Sequence, residues 1–478
     1  MPRPHAVTVD DDEGLVALAA AVRTGAVSAV EVTRAALERI ERLNPLLHAF
    51  ATLDMDRALA SAAALDAERQ AGRLRGPLHG VPIAYKDLCA VRGLANRCGI
   101  GDASYFKFAG DATVVRRLVR AGAVSLGTLA MTPLAMGTFG VNEIEGTPAN
   151  PWAADRAPGG SSSGCGVALA ARLVAGAVGT DTGGSIRLPA ACCAVVGLKP
   201  TFGRVSRAGV MPVSLSLDHV GPMARRVRDV ALLLAVMAGR DARDAATARQ
   251  RPLSSVLPPG VRGMRIGLPG GAYFEDVQPV VCAAVHEAAR LLVNLGAVVE
   301  TVAVPDPRPL VQASATVVRA EAAAHHGPLL ETSGAALPEF VRQRLQMGLS
   351  VSAVDYLRAL AVCTEQRTCF VREAFATVDA LLLPTTPEVP PTLGEVAGPV
   401  GYVNERMASF ARFARVFNAL GIPVLALPGG FTDAGVPLGL QLAGRPFDER
   451  TILRLGAAYE EAAGWYRRRP AAAASQMA

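Results

Sequence analysis

The chain has 478 residues, of which 51% are apolar, 19% charged and 5% aromatic, with a net charge of +6. An apolar half can build a sizeable core and excludes wholesale disorder, and no basic run of five or more residues suggests a nucleic-acid surface. No stretch of ~18 uninterrupted apolar residues reads as a membrane span, and Asp10-Asp11-Asp12-Glu13 occupies the place where a signal peptide would carry its apolar segment, so a cytoplasmic location is expected.

In chain order, residues 1–72 read as helices. Asp12 can cap a helix over 13–22 that stops at Gly25. Ser28 with Glu31 forms a capping box that opens a second helix ending before Pro45. A third covers 55–71 and closes at Gly72. From Gly80 onward the grammar changes to short apolar runs at 81–85, 123–126, 177–178, 265–268, 298–302, 380–383, 424–427 and 438–442, which read as buried strands. Helical windows at 113–120, 227–237, 279–295, 354–376 and 407–420 separate them. The alternation predicts one large α/β/α sandwich, with helices on both faces of a sheet. Its core is expected to span 73–465, with a polar surface excursion near 240–262 and an Arg/Ala-rich tail over 466–478.

Eight cysteines show no CxxC and seven histidines no HExxH, so buried reduced thiols are expected and no metal site. Of 48 basic residues only Lys86, Lys107 and Lys199 are lysine. Lysine can lose its proton in a buried site whereas arginine effectively cannot.

Two Gly-Gly-Ser turns, Gly159-Gly160-Ser161 and Gly183-Gly184-Ser185, lie 24 residues apart around a short predicted helix. Consecutive glycines let backbone amides converge on one point, where they can hold a phosphate or a developing oxyanion. Neither turn continues as a P-loop, so a nucleophile with its oxyanion hole suits these hydroxyls better. Gly160-Ser161-Ser162-Ser163-Gly164 also fits GxSxG, which would make Ser162 the nucleophile of a strand-to-helix elbow. Residues 152–159 read as loop, however, and His325-His326 falls in a helical window. A serine without histidine needs another base. Lys86, at the end of the apolar run 81–85, is the candidate. To act near neutrality its pKa must fall from ~10.4 to ~7, a cost of about 4 kcal/mol that burial can supply. Asp87 points to the opposite face of the strand and need not pair with it.

The segments Gly80-Val81-Pro82-Ile83-Ala84-Tyr85-Lys86-Asp87, Gly159–Gly164 and Gly179-Thr180-Asp181-Thr182-Gly183-Gly184-Ser185-Ile186-Arg187 resemble the motifs of the amidase signature family of serine hydrolases. Further similarity runs through Gly197–Thr201, Ser216–Pro222, Pro384–Pro387 and Pro437–Gln441, so the resemblance covers most of residues 10–462. It implies a mixed central sheet sandwiched by helices, with the N-terminal helices packed outside. It also implies Ser185 as the acyl-forming nucleophile, Ser161 on a cis peptide as proton relay and Lys86 as base, without any cofactor. It further implies an oxyanion hole from the amides of Thr182, Gly183, Gly184 and Ser185, a hydrogen bond from Ser162 to Lys86, and Asp181 and Arg187 as supports. Met131, Thr132, Thr138 and Leu188 would border the substrate pocket. Ser163 stands where many relatives have glycine, and an extra Cβ there should crowd the turn. The stretch 129–135 departs from the commoner Asn-Met-x-Glu-Phe-Ala.

One branch of that family is the glutaminase subunit of tRNA-dependent amidotransferases, which commonly has Gln where this chain has Leu188. The apolar Leu188 favours a stand-alone enzyme. The main expectation is therefore hydrolysis of a small aryl or apolar amide, with esters and carbamates open to the same chemistry. The expected partners are a small-molecule substrate and a second copy of the chain as a homodimer, with neither nucleic acid nor membrane. The alternatives are a non-catalytic anion-binding scaffold and the glutaminase subunit.

Overall fold

The structure, a computed structural model, describes residues 14–470; the expected Asp12 cap and the last eight residues of the tail lie outside them. One sheet of eleven strands runs through the molecule: β1 (Phe50–Leu53), β2 (Pro82–Lys86), β3 (Val124–Leu129), β4 (Gly176–Asp181), β5 (Val196–Lys199), β6 (His219–Ala224), β7 (Arg265–Pro269), β8 (Val298–Val302), β9 (Ala380–Pro384), β10 (Val424–Phe431) and β11 (Pro437–Gly444). Their order is β1-β3-β2-β4-β6-β5-β10-β11-β9-β7-β8. β2 pairs in parallel with β3 and β4, β7 in parallel with β8 and β9, and the middle of the sheet is antiparallel. The sheet is thus mixed, as the family resemblance implied, and helices flank it as the alternation of short apolar runs with helical windows predicted.

Apolar clusters cover both faces. Ile83, Tyr85 and Val178 contribute to one, and Ala84, Ala177 and Cys165 to the other. Alternate residues of a strand face opposite ways, so Lys86 shares the face of Ala84. Because β2 and β4 are parallel neighbours, Lys86 and Asp181 end their strands at the same edge of the sheet, the edge where α/β enzymes assemble their sites.

The first helices are tied down by distant carboxylates. Asp229 accepts from the amides of Leu15 and Val16 at 2.9 Å each, and Asp66 accepts from those of Ala29 and Val30 at 2.8 and 3.0 Å. These bonds satisfy amides that a helix start leaves without partners. The Ser28/Glu31 capping box is formed. That helix runs Ala29–Leu47, through Pro45 rather than stopping before it. A proline so near the end removes only one late hydrogen bond. His48 then closes the helix at φ 47°, and the Asn44 side chain accepts from Ala49 and Phe50, which launches β1 along the sheet edge.

Three strands were not expected. β1 and β5 have only four residues each, and β6 carries Gly221 and Pro222, which speak against a strand. The expected 407–420 helix is two, Val400–Phe410 and Arg412–Leu420, broken at Ala411. Helices Arg308–His326 and Glu339–Leu349 add a layer that the short-strand grammar did not reveal. No described helix is by itself long and apolar enough to cross a membrane.

Gly127 fixes the β1–β3 edge. It pairs with Leu53 at φ 147°, and a Cβ there would lie 2.1 Å from the Thr52 carbonyl oxygen. Gly127→Ala is expected to lower the thermal midpoint: backbone strain alone costs on the order of 1–3 kcal/mol, and the overlap adds to it. An unchanged midpoint would show that β1 does not depend on this approach.

Candidate active site

Of the three lysines, Lys107 is exposed whereas Lys86 and Lys199 are fully buried. Lys199 donates to the carbonyls of Pro200 and Ile422. Lys86, at the end of β2, has its Nζ 2.6 Å from Ser161 Oγ and 3.0 Å from Thr180 Oγ1. Neither partner is charged. Burial pushes its pKa down to about 8, because a desolvated ammonium is disfavoured against the neutral amine. Asp87 lies on the other side of the strand and accepts from the amides of Arg97 and Cys98 at 2.8 and 2.9 Å.

The two Gly-Gly-Ser turns meet at this edge. The Gly160–Ser161 peptide is cis. Ser161 accepts through its carbonyl from Thr132 N, and Ser162 N donates to the Ser185 carbonyl at 3.2 Å. Ser161 is fully buried, while Ser185 is half-buried and lines an open cavity together with Thr182 and Gly183. The helix Ser163–Ala170 begins directly after Ser162, and a loop rather than a strand precedes it. No histidine lines the cavity, and His326 faces Tyr105 instead. The strand-to-helix elbow centred on Ser162 therefore has neither its strand nor its base.

Asp181, at the end of β4, organises the second turn. Its Oδ1 accepts from Gly184 N at 2.8 Å, from Arg187 Nη2 at 2.9 Å and from Asn418 Nδ2 at 2.9 Å. Its Oδ2 accepts from Ile186 N at 3.1 Å and Arg187 Nε at 3.0 Å. Burial alone would raise the carboxyl, but the charge and hydrogen bonds of Arg187 outweigh it and hold the group well below the usual carboxylate range. Arg187 also donates to Asn418 Oδ1 at 2.7 Å. On the other side, Thr182 Oγ1 donates to Asp218 at 2.5 Å, and Asp218 also accepts from Val213 N and Ser214 N.

Several expected residues sit elsewhere than the motifs implied. The Gly184 amide is committed to Asp181 and does not line the cavity. The amides of Thr182, Gly183 and Ser185 have no backbone acceptor among the described residues. Ser162 bonds the backbone of Thr180, at 3.2 Å to its carbonyl, rather than Lys86; the second partner of Lys86 is the Thr180 hydroxyl. Thr138 lines the cavity, but Met131 and Thr132 do not. Met131 packs in the core, and Thr132 Oγ1 holds the Gly137 amide, so the wall is made by Ala135–Thr138 further along the chain. Leu188 points away from the cavity into an apolar cluster with Phe139, Phe410 and Ala414, so its apolar character says nothing about the substrate. Ser163 is accommodated because Gly140, at φ 90°, leaves room where a Cβ would lie 3.1 Å from that of Ser163.

The sequence reading missed Arg319, Arg344 and Arg415, which line the same cavity from three different helices. None belongs to a motif, and in a chain with 45 arginines no local signal set them apart.

With this geometry in view, the chain matches the Amidase family model over residues 31–453. It is 39% identical over 483 residues to a glutamyl-tRNA(Gln) amidotransferase subunit from Chloroflexus aurantiacus, covering 95% of this chain and 98% of that one. It is 41% identical over 485 residues to the corresponding subunit from Myxococcus xanthus, covering 96% and 98%. A solved peptide amidase in complex with the inhibitor chymostatin superposes with a TM-score of 0.84 at 32% identity, covering 98% of this chain and 100% of that one. The full-length likeness to amidotransferase subunits overturns two expectations. A stand-alone enzyme for a small aryl or apolar amide is not what these relatives are. Nor does the expected partner set stand, a small molecule and a second copy with no nucleic acid, because those relatives are named as subunits of a tRNA amidotransferase.

Asp181→Asn leaves the buried Arg187 uncompensated and is expected to lower stability at neutral pH by about 3–5 kcal/mol, read by urea unfolding. A carboxyl whose folded pKa lies below its unfolded value of ~3.9 stabilises the fold above that pH and stops doing so as the pH falls through the folded value. The gap between wild type and variant should therefore narrow below about pH 4, and equal unfolding midpoints at pH 7 would remove Asp181 from this role.

Proposed function

The chain belongs to the amidase family, and on that premise we propose that it is the amide-hydrolysing, glutaminase subunit of a tRNA-dependent amidotransferase. It would release ammonia from glutamine for a partner protein that holds the tRNA. The observation that carries this reading is the alignment of 95% of the chain with 98% of a glutamyl-tRNA(Gln) amidotransferase subunit, at 39% identity. The peptide amidase corresponds over its whole length too, so what favours the amidotransferase branch is the identity over that length, 39% against 32%.

In this reading neutral Lys86 accepts the proton of Ser161, which in turn takes that of Ser185. The Ser185 oxygen attacks the amide carbonyl carbon, and the resulting oxyanion is received by the amides of Thr182, Gly183 and Ser185. The carbon–nitrogen bond then breaks. The proton held by Lys86 returns through Ser161 to the leaving nitrogen, which departs as ammonia. Water, giving its proton back along the same route, opens the acyl-enzyme and frees Ser185. The 2.6 Å contact of Lys86 Nζ with Ser161 Oγ supports this order, as does the lack of a charged hydrogen-bond partner that would hold the lysine protonated. Asp181 and Arg187 act as positioning residues, since they reach the turn and not the cavity.

The base must be neutral before attack and its pKa is about 8. Log kcat/KM for ammonia release should therefore rise with a slope of one up to about pH 8 and level off above it. Ser185→Ala should abolish release and Lys86→Ala should lower kcat by roughly 10²–10⁴. Tagged chain expressed in its native cell should co-purify with a second, tRNA-binding protein. Unchanged turnover in Ser185→Ala rejects the chemistry, and a chain that hydrolyses glutamine but never associates with such a protein rejects the assembly.

A further inference from the structure

The cavity beside Ser185, about 990 Å³ counting its open mouth, carries three guanidinium groups and no carboxylate. Arg319 comes from the helix Arg308–His326, Arg344 from Glu339–Leu349 and Arg415 from Arg412–Leu420. Arg344 donates to Asn404 Oδ1 at 3.0 Å and to the Met136 carbonyl, both uncharged. The guanidinium groups of Arg319 and Arg415 have no hydrogen bond or ion pair among the described residues. Arg415 packs against the oxyanion turn: a Cβ on Gly183 would lie 3.4 Å from its Cγ and 3.8 Å from its Nε. Arg344 and Arg415 are half-buried and Arg319 is exposed, whereas the deeply buried arginines behave differently. Arg187 meets Asp181, Arg204 meets Glu449 and Arg226 meets Glu460. A half-buried arginine left without an anion, beside two more of the same sign, is costly. The strain registers in the groups themselves, since burial, with the charges of Arg415 and Arg319, pushes Arg344 down to about 9, and burial with Arg319 pushes Arg415 down to about 10.

An anion entering the cavity removes that cost, and arginine forks match a carboxylate bidentately. A cationic group would instead meet three like charges with no compensating oxygen. We propose that Arg319, Arg344 and Arg415 recognise a carboxylate at the far end of the amide substrate, and that the pocket takes ω-amides of dicarboxylic acids without requiring an α-ammonium group. This deepens the reading of Ser185 as an amide-opening nucleophile and rests on it. Glutamine satisfies the arginines through its carboxylate, but its ammonium finds no partner, so the amide that lacks this group is at least as good a substrate.

The test compares L-glutamine, glutaramate and uncharged pentanamide as substrates, and follows glutarate binding to the wild type by calorimetry. Glutaramate is expected to equal or exceed glutamine in kcat/KM and to exceed pentanamide at least 100-fold. Arg415→Gln, and separately the more exposed Arg319→Gln, should lower the glutaramate-to-pentanamide ratio at least 10-fold, mainly through KM, and weaken glutarate binding by a similar factor. A glutamine preference above 10-fold over glutaramate overturns the ammonium-independent part. Glutarate that binds both variants as it binds the wild type overturns the arginine site. That binding result holds whether or not any amide is turned over, whereas bound glutarate with no hydrolysis of any amide counts against the hydrolase reading and leaves the anion site standing.

Discussion

The chemistry proposed for this molecule depends on one buried amine. Lys86 sits at the end of a strand whose every residue is buried, with hydroxyls and no carboxylate within hydrogen-bonding distance of its Nζ. Most buried lysines gain an acidic partner and stay charged. Here the partner is withheld: Asp87 turns to the opposite face, and Asp181 commits its oxygens to Arg187, Asn418 and two backbone amides. Desolvation then acts unopposed by a close counter-ion and brings the amine toward neutrality. β2 lies between β3 and β4, and the serine turns packed over its end leave Lys86 fully buried.

The serine turns illustrate how a charged network can serve a neutral reaction. Asp181 and Arg187 neither line the cavity nor hydrogen-bond the lysine, yet the two bonds that Asp181 accepts from the amides of Gly184 and Ile186 constrain the path from Gly183 to Ile186. The carboxylate captures the amides of Gly184 and Ile186, while those of Thr182, Gly183 and Ser185 have no acceptor among the described residues. The alternation between captured and free amides is the physical content of the Gly-Gly-Ser turn. Glycine at 184, held at φ 119° against Leu188 and Ala414, is needed for the chain to turn its amide back toward Asp181.

The sequence was most legible where function is written in contiguous residues. The lysine at the end of an apolar run, the paired glycine turns and a sheet with helices on both faces could all be read from short segments, because burial and turn chemistry act locally. Legibility failed for contacts set by tertiary packing. Leu188 follows the nucleophile turn closely in sequence, yet a helix begins at Arg187 and rotates its side chain into the apolar cluster behind the turn. Position next to a motif therefore misled about position next to the substrate, and with it about the branch of the family. Strand β6 escaped notice because Pro222 and Gly221 are tolerated between β4 and β5, where close backbone approach leaves no space for larger side chains.

The arginines show the same limit from the other side. They lie nearly a hundred residues apart, from 319 to 415, on helices that share no motif, and each taken singly is one arginine among 45. Only their convergence makes them unusual, since a cluster of like charges at a cavity is stable when something of opposite charge visits it. The catalytic turns are neutral by construction and the reacting amide is neutral too. The charge in this cavity therefore acts on the part of the substrate that does not react. A pocket built this way separates its two tasks: hydroxyls and amides handle the scissile bond, and guanidinium groups select which molecule presents it. In the proposed arrangement, changing the second set alters which amide is accepted without touching the residues that open it, in keeping with sites that vary on a common fold.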